Sequence, residues 1–453
     1  MEVVLRRMAL GLFYAAIVLA IVPFGAVFPM PLYVSVVLGA VALCLAGLVY
    51  VPAGRHAGWL VVAPLLLVAA SFAYVWWQTA CGVPAGWGSD FWILLEPLGG
   101  AQCQPISAIG QASWQILPQL IAAPVLFATG IILFAHGEAT RPLDVLTWIG
   151  FGFAAVGLVN FLFFPDILLV VEKVAYRDSL TGFFVNRNTA GTFLGVALIL
   201  SLLTSGRVIG GAADVAMWQQ MLAVVIPLTI AVALMLTRSR ASIACTGVAL
   251  TLFLVLHWWQ LVEAAQRLVR LSRVEGRIIV AVIAALAVFL LVAAAGPRLA
   301  QGVEDDPRLC VYASLLPAIA DGWPFGHGLG SFQLTYPTYR PVECGIYGTW
   351  ELAHNVYLEA AYTMGLFGCF FVLACLVGAL WMPVTQIWSR SRSQMASTAL
   401  CIGILLCLHS AVDFSLQIPG MAAYTAAVMS TLTAILLRRG KDHEIFDDDD
   451  TLD

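Results

Sequence analysis

The chain is a succession of apolar stretches, each about long enough to cross a bilayer, joined by short polar turns. The hydrocarbon core of a membrane is about 30 Å thick and takes about 20 helical residues to span. There the backbone must satisfy its own hydrogen bonds. A window of about 20 residues gives roughly twelve spans: 8–28, 32–50, 58–76, 115–135, 144–164, 189–205, 217–237, 241–257, 278–296, 354–381, 397–415 and 419–437. Composition agrees, since charged residues are 11% of the chain against about 25% in soluble domains. The reading is an all-α, polytopic integral membrane protein. The run from Met8 to Phe28, behind the basic Met1–Arg7, reads as a first transmembrane helix rather than a cleaved leader.

Charge and cysteine placement test that count. With the N-terminus inside and an even number of spans, the inner loops hold 14 of the 22 basic residues, in keeping with the positive-inside rule. The segment 78–115, assigned outside, contains no Lys or Arg. Six cysteines (Cys44, Cys245, Cys369, Cys375, Cys401 and Cys407) fall in spans, and none in an inner loop. The other four fall two by two in the largest outward loops, Cys81 with Cys103 and Cys310 with Cys344. On an oxidising face these pairs make sensible disulfides, each worth about 3 kcal/mol.

The chain divides into helices one to five with the outward loop 77–114 (residues 1–176), a region 177–437 with the large outward loop 297–353, and a tail 438–453. The tail is acidic and reads as disordered. Loop 77–114, with Trp87 and Trp92, reads as a segment lying against the outer membrane surface. In Trp258–Arg277, Leu261, Ala264, Leu268 and Leu271 share a helical face opposite a basic one, as in a helix lying on an anionic leaflet. A plain cytoplasmic connector fits that segment equally well.

Eight basic residues lie on the outward side: Lys173, Arg177, Arg187, Arg238, Arg240, Arg298, Arg308 and Arg340. A forked, permanently charged guanidinium suits a phosphate, so an outer ring of Arg invites a diphosphate. Local ion pairs, such as Arg177 with Asp178, are the plainer explanation for any one of them. Arg240 opens an apolar helix directly after another ends. His354 stands where the large loop enters the tenth span; an imidazole there can accept a proton at neutral pH. Asn355 and Glu359 are four apart on one helical face, and Asn355 is placed to orient a sugar hydroxyl or Glu359. Gly365 and Gly368 permit close helix packing. His409 and Asp413, also four apart, read as a pair bonding each other to pack the last two spans, with membership of the site as the alternative.

Taken in order, these residues resemble a family. His354-Asn355, nine residues, Gly365, two residues and Gly368 are similar to the signature of the bacterial O-antigen ligase and polymerase superfamily. Gly182-Phe183-Phe184-Val185-Asn186-Arg187-Asn188 resembles its Gly-x-Phe-x-Asn-x-Asn segment, Leu236–Ala241 its Ser-Arg segment, and Pro324–Phe332 its glycine-rich loop. His409–Phe414 resembles a motif near the last helices.

The resemblance implies a GT-C-like, multi-pass glycosyltransferase of the bacterial inner membrane with cytoplasmic termini. Its site would face the periplasm, with 297–353 as a periplasmic subdomain. The donor would be a glycan on undecaprenyl diphosphate and the acceptor a hydroxyl on lipid or glycan. No cofactor, metal or nucleic acid is implied, and polysaccharide-assembly proteins are possible partners. His354 would be the base, Arg187 and Arg240 would hold the diphosphate, and Arg238, Arg308, Arg340, Asn355 and Glu359 are further substrate-binding candidates. Ligase and polymerase remain unseparated. A transporter or flippase of lipid-linked oligosaccharide is the alternative; it requires pseudo-symmetric halves and charges deep in several helices, neither of which is evident.

Overall fold

The computed structural model describes residues 1–50, 55–84, 86–95, 103–135, 140–210, 215–269, 307–344, 349–388 and 393–447. The predicted ninth span (278–296), Arg298 and the far part of 258–277 lie outside them. The described chain is helical apart from one two-stranded hairpin, β1 (Ile167–Leu168) with β2 (Val171–Glu172). Its helices are α1 (Glu2–Ile21), α2 (Pro29–Val49), α3 (Arg55–Thr79), α4 (Phe91–Leu95), α5 (Gly110–Phe134), α6 (Thr140–Phe163), α7 (Arg187–Gly210) and α8 (Met217–Leu236). They continue as α9 (Arg240–Leu256), α10 (Trp258–Val269), α11 (Pro307–Gly322), α12 (Phe332–Thr335), α13 (Val356–Trp388), α14 (Gln394–Ser410) and α15 (Pro419–Asp447).

Nine of the described helices are long and apolar enough to cross a membrane; α9 and α14 are apolar but shorter. These eleven coincide with the predicted spans other than the ninth. Apolar side chains gain little from leaving lipid for one another, so packing and hydrogen bonding hold such helices together. The sequence supplies small residues for this. A Cβ on Gly130 would run into Ser430, one on Gly150 into Ala197, and one on Gly195 into Thr246. Buried hydroxyls bridge helices: Ser35 Oγ donates to Ala16 O (2.9 Å), and Tyr424 Oη to Leu146 O (2.9 Å). Helices α7 and α15 are the most enclosed. α7 carries the candidate motif at its N-terminal end.

Three expectations change. Loop 77–114 docks on protein: Ala108 N donates to His327 O (3.0 Å), and Phe325 packs against Trp77 and Trp87. The tenth span, α13, is two helices. Gly365 breaks it at φ 55°, ψ −135°, where a side chain would overlap the Pro324 carbonyl. Leu366 N donates to Pro324 O (2.8 Å), and His327 N and Gly328 N bond to Tyr362 O and Thr363 O (both 2.9 Å). Gly365 therefore seats the glycine-rich loop, and the turn brings Gly368 against Ala360. Finally, α15 runs to Asp447, into the stretch expected to be disordered, since extending an existing helix is easier than starting one.

The loops at this end are tied together. Cys81 is bonded to Cys103 and Cys310 to Cys344, with Cα–Cα distances of 5.5 and 5.7 Å. Tyr74 Oη and Gln78 Nε2, at the end of α3, both donate to Phe325 O (2.8 Å).

Candidate active site

His354 occupies a tight turn before α13, in the left-handed region at φ 54°. Such a conformation is uncommon for a residue with a side chain, so its neighbours must hold it. They do so from three sides. Glu359, buried one turn into α13, accepts from Ala353 N (2.8 Å). Tyr312 Oη, on α11, donates to His354 O (2.7 Å). Asn355 Oδ1 caps α13 by accepting from Tyr357 N and Leu358 N (3.0 Å each), while its Nδ2 donates to Ala411 O (2.9 Å). Asn355 and Glu359 thus fix the turn, and of the two roles offered for the Asn355 side chain, orienting Glu359 is not the one its hydrogen bonds serve.

The imidazole contacts the edges of the Trp350 and Phe414 rings. Its Nδ1 lies 3.2 Å from Asp413 Oδ1, with the His354 side chain 22% exposed and the Asp413 side chain fully enclosed. Asp413 stands beyond the end of α14. Burial alone would raise its carboxyl, but the His354 hydrogen bond and the nearby imidazoles outweigh this and leave it below the usual carboxylate range. A buried carboxylate against Nδ1 favours the tautomer with its proton there, leaving Nε2 as the acceptor.

His409 does not bond Asp413 through its side chain. Asp413 N donates to His409 O (2.9 Å), and the two side chains bond different partners. His409 Nε2 meets Ser242 Oγ at 3.0 Å. Ser242 Oγ contacts Ser239 Oγ (2.9 Å) and donates to Asn188 O (2.9 Å), and Ser239 Oγ donates to Asn188 Oδ1 (2.7 Å). Buried hydrogen-bonded groups of this kind hold a unique arrangement because leaving any one unpaired is costly. The hydroxyl–imidazole chain joins the start of α7, the α8–α9 junction and the end of α14. His354 is joined to the last of these through Asp413.

The arginines divide. Arg187 opens α7, 3.3 Å from Ser179 Oγ and over the Tyr176 ring at 5.1 Å. Arg240 opens α9, exposed, with no ion pair to a described residue. Arg238 adopts φ 53° and pairs with Asp178 (3.0 Å). The Ser179 hydroxyl, and after it the Arg238 guanidinium, hold the Asp178 carboxyl below its usual range. Arg308 Nη1 donates to Val412 O (2.8 Å), beside Asp413. Arg340 bonds Cys344 O (3.4 Å), within the outward loop. Arg177 pairs with Glu172 and Asp166 rather than with Asp178.

Residues 222–373 match the family model described as O-antigen ligase. Over this stretch, about a third of the chain, the protein is similar to O-antigen ligases. The stretch carries the Arg238–Arg240 junction, the glycine-rich loop and His354, while Arg187, His409 and Asp413 lie outside the match. The match supports membrane glycosyl transfer of the O-antigen ligase or polymerase type in general. No curated protein matches the chain. The residues of this candidate site that sequence reasoning missed are Asp413 as the partner of His354, Tyr312, and the hydroxyls of Ser239 and Ser242. The His409-x-x-x-Asp413 spacing was the available signal for the first of these, and it pointed to an intrahelical pair.

Proposed function

We propose that the chain is a glycosyltransferase of the bacterial inner membrane, moving a glycan from undecaprenyl diphosphate to an acceptor hydroxyl on the periplasmic face. The observation that carries this reading is the partly exposed His354 imidazole on the buried Asp413 carboxylate, at the same end of the bundle as Arg187, Arg240 and Arg308. His354 Nε2 takes the proton of the acceptor hydroxyl as its oxygen attacks the anomeric carbon. The bond to the diphosphate breaks, and its charge is met by guanidinium groups. Arg240 is the better placed of the α8–α9 pair, because Arg238 is engaged with Asp178. No step draws on a metal, and transfer is expected to persist in EDTA.

The test is complementation of a strain lacking the protein, with His354→Ala and Arg240→Ala at matched membrane abundance. Loss of surface glycan with a rise in lipid-linked glycan on the periplasmic side is expected. Full activity of His354→Ala would remove it as the base, and glycan retained on the cytoplasmic side would mark a flippase.

A further inference from the structure

The hairpin between α6 and the start of the site carries its apolar residues outward. Its two-residue tip is Leu169-Val170, with Ile167 opposite Glu172 and Leu168 opposite Val171. Leu169 takes φ 56°, a position where hairpins in water use Gly, Asn or Asp. Leu168 is tucked in, but Val170 is 90% and Val174 92% exposed, and Ile167 and Val171 are exposed beside them. A cluster of this kind marks an interaction surface.

What covers it follows from where it leads. On α6, Val145, Trp148, Val156, Val159 and Phe163 are exposed at helical spacing on one face, and α6 is long and apolar enough to cross a membrane. That stripe faces lipid. It continues through Phe164 into the hairpin. The charges sit at the hairpin's root and are paired there: Arg177 bridges Glu172 and Asp166, and Lys173 Nζ turns inward to Ser179 O (3.3 Å). An apolar tip above a neutralised polar root matches the layering of a membrane interface.

We propose that residues 166–174 form a wedge that dips into the leaflet at the candidate-site end of the bundle, its tip among lipid acyl chains. This assignment stands independently of the transfer chemistry. If that chemistry holds, the wedge sets Tyr176 and Arg187 at headgroup depth, where a lipid diphosphate lies.

The test places an environment-sensitive fluorophore at Val170→Cys, Val174→Cys or, as an aqueous reference, Asp90→Cys. The protein would be reconstituted in phosphatidylethanolamine/phosphatidylglycerol nanodiscs, with the exposed Cys44, Cys369 and Cys375 changed to alanine. The expected result is blue-shifted emission at 170 and 174, quenched several-fold more by acyl-chain nitroxides than by iodide, with the reverse at 90. Iodide quenching at 170 and 174 equal to that at 90 would overturn the proposal. So would blue-shifted emission insensitive to the lipid nitroxide, which would mean burial against protein.

Discussion

A histidine at the end of a loop can do many things; what narrows them here is the partner on its other nitrogen. Asp413 holds the imidazole by Nδ1, and in the proposed reaction Nε2 is the nitrogen that meets the substrate. Asp413→Asn preserves shape but removes the charge and permits the opposite tautomer. Transfer is expected to fall by about 10²-fold or more, with the level of folded protein in the membrane unchanged; a loss below threefold would reduce Asp413 to a packing role. His354, Arg187 and Arg240 stood out as candidates in the sequence because their motif context travels with them. Asp413 was visible only as a neighbour of His409, since the sequence separation of 59 from its partner His354 is closed by the fold alone. The same is true of Ser242, whose hydroxyl meets His409 from 167 residues away.

Hydrophobic length alone fixed where eleven helices run, and it failed where a helix is interrupted. A glycine in an apolar run reads as a packing residue; Gly365 is instead a hinge point with the Pro324 carbonyl where a side chain would be. Gly365→Ala combines that overlap with a backbone conformation essentially reserved for glycine. It should cost about 1–3 kcal/mol, read as a lower melting temperature in detergent and a loosened 322–330 loop. Gly11→Ala, with open space around its Cβ position, should be neutral or slightly stabilising. Equal tolerance at both positions would contradict the account of the break. The docking of loop 77–114 on Phe325 was equally hidden. Its tryptophans fit a membrane surface as well as a protein one, and the Phe325 ring contacts and the Ala108–His327 hydrogen bond separate the two.

At the scale of the molecule, one end of the bundle gathers what the sequence scatters. α7, α9 and α13 begin there and α14 ends there, so each contributes a terminus, where backbone groups and polar side chains are free for work that a helix interior forbids. Disulfides and the glycine-rich loop brace that end. The buried serine–histidine chain ties the arginine-bearing helix starts to the end of α14, beside which Asp413 holds His354. The proposed work of this end is base-assisted glycosyl transfer from a lipid diphosphate. Its most direct test is reconstituted transfer by the purified protein in nanodiscs, with a defined undecaprenyl-diphosphate glycan and a hydroxyl acceptor. Product formation would be followed for the wild type and His354→Ala at equal donor binding. The account predicts product with the wild type and a rate lowered by about 10²–10⁴-fold in His354→Ala, with binding of the donor retained. Wild-type turnover matched by His354→Ala, or none from wild-type protein that binds both substrates, would contradict it.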